Sequence, residues 1–156
     1  MSLSDYEHVR SVAQRMDRWD AVRSEIHDQL HEQNQYALLT RIHLENNDVE
    51  SALQTVQKDG SSGRYGGASL KMDVAEAAED EYPEAAIELY TKRGRSLIAD
   101  RGRGNYRQAA ELFQRVKALY DQHEPGAWDD VLEALYDDEL HRLPAARDEF
   151  EKADLL

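Results

Sequence analysis

Cysteine is absent from the 156 residues. That single absence excludes disulfide staples, thiolate zinc sites and thiol nucleophiles, and it points to a reducing, cytoplasmic setting. Val, Ile and Thr together number only 15 and nowhere alternate with polar residues over the length of a strand, so nothing supports a sheet. Long apolar runs are missing too. No stretch approaches the roughly 20 residues of a membrane span, and the first twenty residues, with Asp5, Glu7, Arg10, Arg15, Asp17, Arg18 and Asp20, lack the apolar core of a secretory leader. Lysine is scarce, at 5 against 14 Arg, and the formal charge is −13. Long-range repulsion of that size disfavours nonspecific binding of nucleic acid by the domain as a whole. An acidic, lysine-poor surface suits a high-salt cytoplasm, where screening tolerates the charge. A codon bias toward arginine gives the same ratio.

What is present is the helical period. Apolar residues fall at helix spacing in Tyr6, Val9, Ala13, Met16; in Trp19, Val22, Ile26, Leu30; in Val49, Ala52, Leu53, Val56; and in Leu70, Val74, Ala77, Ala78. The same stripe returns in Ala109, Leu112, Phe113, Val116, Leu119, Tyr120 and in Trp128, Val131, Leu132, Leu135. Punctuation lies between the stripes. Asn47 with Glu50 reads as a capping box, Pro83 suits a first helical turn, Pro125-Gly126 breaks the chain before Trp128, and Pro144 opens a last short helix. The segment Asp59 to Gly67 reads as the one long flexible connection. The expectation is an all-α chain of about nine helices forming one domain over residues 1–156.

Several helices open with one phrase. Residues 47–56, Asn-Asp-Val-Glu-Ser-Ala-Leu-Gln-Thr-Val, match residues 81–90, Glu-Tyr-Pro-Glu-Ala-Ala-Ile-Glu-Leu-Tyr, at a spacing of 34, and residues 104–113 repeat the phrase after 23 more. A 34-residue period with a small residue at the helix crossing is what tetratricopeptide-type pairs require, and the shorter second interval makes the array degenerate. The expected architecture is therefore a right-handed α-solenoid of antiparallel helix pairs with a groove on its concave side.

The passages Leu70 to Glu79, Tyr82 to Tyr90 and Leu97 to Ala110, continued by Val116 to Tyr120, Trp128 and Phe150 to Leu155, carry a family likeness. Over about residues 36–156 the chain resembles the helical C-terminal region of prokaryotic SWIM zinc-finger proteins, most specifically between Arg101 and Ala110. That family's finger has the form Cys-x-Cys followed by Cys-x-His. With no cysteine here, none of its zinc-binding or DNA-binding residues carries over. The resemblance implies a helical scaffold, either a separate C-terminal piece or a homologue without the finger.

Charge is polarised along the chain. Between Thr91 and Lys117 stand eight cations against two anions, a net of +6, so the rest carries −19. Within this stretch Arg93, Arg95, Arg101, Arg103 and Arg107 gather around Gly102 and Gly104, and guanidinium forks pair bidentately with carboxylates and phosphates. Two readings stand: a docking patch for an anionic partner, or intramolecular pairing with Asp and Glu of the same chain. No strand precedes these glycines and no Gly-Lys-Ser/Thr follows, so they do not make a nucleotide-binding phosphate loop. His27 and His31, four apart on one helix face, have metal-ligand spacing but no evident third ligand, His43 being remote in sequence, and read as solvated surface histidines. The pairs Asp129-Asp130 and Asp137-Asp138 diverge on a helix and read as an acidic face. The aromatics Trp19, Tyr90, Phe113, Tyr120 and Trp128 sit on the apolar stripes and read as core. With no nucleophile, metal set or cofactor loop in view, the expected function is a protein–protein interaction scaffold without enzymatic activity or cofactor. Nucleic-acid association through the Arg93 to Arg115 surface is the alternative.

Overall fold

The computed structural model describes residues 1–58 and 67–156. Among the described residues there are nine α-helices, one 3-10 turn and no strand: α1 Leu3–Arg15, α2 Trp19–Glu32, α3 Tyr36–Glu45, α4 Val49–Lys58, α5 Gly67–Ala78, α6 Pro83–Asp100, α7 Arg103–His123, α8 Ala127–Asp138, the 3-10 turn Leu140–Arg142, and α9 Pro144–Lys152. The all-α reading holds. Apart from Gly67, which opens α5, the long connection expected from Asp59 lies outside the described residues.

Short turns order the first four helices. α1, α2 and α3 each end in a three-residue turn whose middle residue, Asp17, Asn34 or Asn47, takes a positive φ of 55 to 58°. Asp and Asn tolerate that conformation better than most residues. In each turn the following N–H reaches back to the helix, from Arg18 to Ala13 O (2.9 Å), from Gln35 to Leu30 O (2.9 Å) and from Asp48 to His43 O (2.8 Å). These bonds satisfy carbonyls that a helix end otherwise leaves open. The capping box placed on Asn47 and Glu50 is therefore corrected by one residue. Asn47 closes α3, and it is the Asp48 carboxylate that accepts the Ser51 N–H (3.2 Å) at the start of α4. At α1 the cap is reciprocal: Ser2 Oγ accepts from Asp5 N–H and the Asp5 carboxylate accepts from Ser2 N–H.

The chain forms two compact units, Met1–Ala77 and Ala78–Leu156. In the first, Tyr6 of α1, Ile26 and Leu30 of α2, and Leu39 and Ile42 of α3 make a buried cluster, with Trp19 edge-on to Tyr6 at 5.6 Å. α3 and α4 are joined by a buried hydroxyl pair, Thr40 to Thr55 at 2.7 Å. Thr40 also donates to Tyr36 O, so neither hydroxyl is buried without a bond.

In the second unit α6 packs along α7, and α7 also receives α8 and α9. Phe113 is the shared centre. Its ring lies 6.5 Å from that of Trp128 on α8 and 5.7 Å from that of Phe150 on α9, and α6 approaches it at Gly94. The alanines aligned by the repeat, Ala52, Ala86 and Ala109, are each fully buried, as a close helix crossing requires. Trp128, Tyr90 and Phe113 are core, whereas Trp19 and Tyr120 are half-buried.

Two glycines give opposite expectations. A Cβ on Gly94 would stand 2.6 Å from Phe113 Cε2, while one on Gly104, within the first turn of α7, meets nothing within 4 Å. Gly94→Ala should lower stability by about 1–3 kcal/mol through overpacking. Gly104→Ala should leave it equal or raise it by up to about 1 kcal/mol, since Ala is the better helix former. Chemical denaturation of both variants checks this, and equal midpoints would contradict the close approach at Gly94.

Candidate functional site

The arginine stretch begins in α6 and runs through the turn into α7. Arg101, with φ 59°, and Gly102, with φ 101°, make the sharp reversal, and the Asn105 amide donates to Arg101 O at 2.7 Å. This geometry places Arg103 in the first helical turn of α7, where a cation is disfavoured by the positive end of the helix dipole. The compensation comes from α9. Arg103 Nη1 donates to Asp148 Oδ2 at 2.6 Å and to Glu149 Oε1 at 3.1 Å, while Arg107 Nε donates to the other Glu149 oxygen at 3.4 Å. Lys152 completes the group, 2.9 Å from Asp148 and 3.5 Å from Glu149.

Glu149 is the least exposed carboxylate of the cluster, at 4 %. Desolvation pushes its pKa up, but the Arg103 hydrogen bond and the nearby charges of Lys152 and Arg107 outweigh that and hold it below the ordinary value. Asp148 is lowered by its hydrogen bonds from Lys152 and from Arg103, and Arg103 is raised, first through its bond to Asp148.

The other arginines are dispersed. Arg95 reaches Asp138 and Glu139 at the end of α8, both at 3.4 Å. Arg115 donates to Glu79 Oε1 at 2.6 Å and lies over the Tyr90 ring at 5.8 Å, and the Tyr90 hydroxyl donates to the same Glu79 oxygen. Arg93 and Arg101 make no ion pair among the described residues. So of the five arginines read as one patch, only Arg103 and Arg107 are brought onto a common partner. Three of the five are occupied by carboxylates of their own unit.

The histidines depart from the sequence reading. His31 is exposed, with its ring 5.8 Å from that of Tyr36, but His27 is half-buried and His43 is buried. The ring of His43 meets that of His27 at 5.3 Å and a near-perpendicular 86°. Sequence distance concealed this, since the turn between α2 and α3 folds positions 27 and 43 together. Among the described residues no group of three or more His, Asp or Glu is arranged to hold a metal ion. Asp129 and Asp130 lie in the first turn of α8, where negative charge is favourable. Glu149 and Glu79, the anchors of the arginines, were not singled out by sequence. Glu149 sits three residues after Ala146 and beside Phe150, on the edge of the apolar stripe, and that edge position is the only local sign of its burial.

Arg103→Gln with Arg107→Gln should lower the melting temperature by several degrees, because a covered carboxylate loses two of its three cations. Arg101→Gln alone should leave it unchanged. The two lowered carboxylates add a pH signature: their contribution is present above their ordinary values, 3.8 and 4.5, and is lost as pH falls through the lower folded ones. The acid slope of stability should accordingly be shallower in the double variant. Thermal melts from neutral pH down to about pH 3 read both effects.

No protein-family model, no curated protein and no solved structure matches the chain. The functional reading therefore rests on its own residues.

Proposed function

We propose that this chain is a protein–protein interaction scaffold of helix pairs whose docking face lies on α1. The observation that supports it is an apolar depression of about 350 Å³ lined by His8, Val9, Val12, Ala13, Met16, Arg18 and Val22. Val12 is 41 % and Met16 61 % exposed, which makes them, with the terminal Met1 and Leu156, the exposed large apolar side chains among the described residues. Apolar side chains that stand together in a groove rimmed by polar groups mark a binding surface more often than scattered ones do. The occupant proposed is a helix of a partner protein with an apolar stripe and acidic flanks. Arg18 stands on the rim, between the exposed Asp17 and Asp20, and Arg15 ends α1, so acidic flanks would meet these two guanidinium groups by direct pairing and not through a net positive field.

The SWIM-type resemblance is compatible with this proposal, in which the chain would be the partner-binding helical part of such a protein and the solenoid arrangement its frame. A cytoplasmic setting belongs to the same proposal and is supported by the cysteine-free composition. No described helix is long and apolar enough to cross a membrane. Association with nucleic acid through Arg93 to Arg115 has less support, because Arg95, Arg103, Arg107 and Arg115 already face carboxylates.

The absence of cysteine makes a clean test available. Met16→Cys and, as a control on exposed α7 surface, Gln108→Cys each give a unique thiol for a photo-crosslinker. Cross-linking in native lysate from position 16 should capture one partner through a helical segment with acidic flanks. Val12→Asp in the Met16→Cys protein should abolish that capture while changing stability by no more than about 0.5 kcal/mol. The same products from positions 16 and 108, or capture that survives Val12→Asp, would remove α1 as the docking face. Capture that is lost steeply with salt and carries RNA or DNA would favour the alternative.

A further inference from the structure

Inside the first unit two imidazoles meet across the seam of α2 and α3. The ring of His27, one residue after the core position Ile26, lies 5.3 Å from the ring of His43, one residue after the core position Ile42. His43 Nδ1 and His27 Nε2 are both covered and form no hydrogen bond. The closest carboxylate oxygen to His43, Asp48 Oδ2, stands at 3.8 Å, beyond hydrogen-bonding range. A neutral imidazole tolerates such a place. An imidazolium, which must shed water with no partner to replace it, tolerates it poorly.

We propose that the His27–His43 contact is a proton-operated latch, which holds α2 against α3 while both rings are neutral and releases the α1–α2 hairpin from α3 when both are protonated. The charged surroundings favour release over a stable doubly charged pair. From α2, Arg23 and His31 act on the pair as cations, and each further opposes a positive charge there. Two carboxylates oppose them. Asp28 acts on His27, but it adjoins that residue on α2 and is exposed, so it points away from the seam. Asp48, at the turn into α4, acts on His43, but its other oxygen already accepts the Ser51 N–H that caps α4. The charges that act most on either ring come from α2, from the partner imidazole and from Asp48. A single positive charge on His43 still has the Asp48 carboxylate at 3.8 Å. A second has no counter-charge within the seam.

The opening has a defined extent. Ile26 and Leu30 of α2 lose Leu39 and Ile42 of α3, whereas α3 and α4 stay joined through Thr40 and Thr55, whose hydroxyls do not titrate in this range. Burial lowers the pKa of both histidines, so the folded state binds their protons less tightly than the unfolded chain does. The sign follows: the stability they contribute is complete above the ordinary histidine value of 6.5 and is lost as pH falls below it toward the lower folded values. The carboxylate cluster of the second unit responds only near and below 4.5, so the two effects separate on the pH axis.

Hydrogen exchange on the full chain at about pH 7.5 and about pH 5.5, corrected for intrinsic rates, tests the latch across the histidine range. Protection of the Ile26, Leu30 and Ile42 amides should fall severalfold at the lower pH, and that of Phe113 and Val116 should not. In His27→Gln with His43→Gln the pH dependence at Ile26 and Leu30 should disappear. Equal protection at both pH values in the parent, a loss spread evenly over both units, or a folded double variant that keeps the parent's pH dependence would each overturn the proposal. Should the double variant not fold, imidazole NMR of the parent decides. His27 and His43 signals must titrate below the ordinary histidine value of 6.5 and together with the loss of protection, and titration at the ordinary value without that loss overturns the latch.

Discussion

The second unit depends on the place where the edge of the Phe113 ring takes the volume a side chain on Gly94 would fill. Because α6 carries no Cβ there, the two long helices can close on each other, and the ring is left as a surface for two more aromatic side chains. Trp128 seats α8 on it and Phe150 seats α9. The seating of α9 then decides the electrostatics. Asp148 and Glu149 precede Phe150 in sequence, so fixing Phe150 on the ring fixes both carboxylates over the start of α7, where Arg103 and Arg107 wait. A packing constraint thus comes first and the ion pairs follow from it. That order agrees with magnitudes, since core burial of an aromatic side chain contributes several kcal/mol on removal, whereas ion pairs near the surface contribute about 1 kcal/mol or less.

Much of this frame is legible in the sequence, and what is not has a common cause. Ala109, Phe113, Val116 and Leu119 read as one stripe and are buried, because a stripe records only the period of its own helix. Pro83 and Pro144 stand in first helical turns, as read, because a fixed φ and a missing N–H are local properties. Gly94 gave no signal at all. A mid-helix glycine reads as a weak point costing about 1 kcal/mol against alanine, and only the neighbouring helix turns the missing side chain into a seat. Asn47 was misplaced for a related reason: Asn serves equally at a helix start and in a left-handed helix end. The arbiter is the next residue, Asp48, whose carboxylate takes the cap.

The arginine stretch shows the same limit at longer range. Its cations are plain in the sequence, but Arg103 meets carboxylates 45 and 46 residues further on, and Arg115 meets one 36 residues earlier. Nothing in local spacing reports those distances. Of the two readings left open, docking patch and intramolecular pairing, the geometry gives the second its strongest support at Arg103, where the helix dipole makes an unpaired cation unfavourable and α9 removes the penalty. The His27–His43 contact was hidden in the same way, behind a turn whose middle residue, Asn34, takes a φ of 55°.

Arginine and histidine take opposite parts in the two units, and their proton affinities explain why. A guanidinium keeps its charge at any ordinary pH, so the α7–α9 seam can be built around charge and stays balanced until its carboxylates are protonated. An imidazole is neutral or charged according to conditions within the physiological range, so a seam that buries one ring and half-buries another favours their neutral forms. On a chain with 32 acidic residues and 19 Lys and Arg, a buried carboxylate needs a dedicated cation. Between α2 and α3 no ion pair forms among the described residues, and the polar groups covered there, His27 and His43, are ones able to give up their charge. The seam of α3 and α4, closed by two threonine hydroxyls, meets the same requirement with groups that carry no charge to lose.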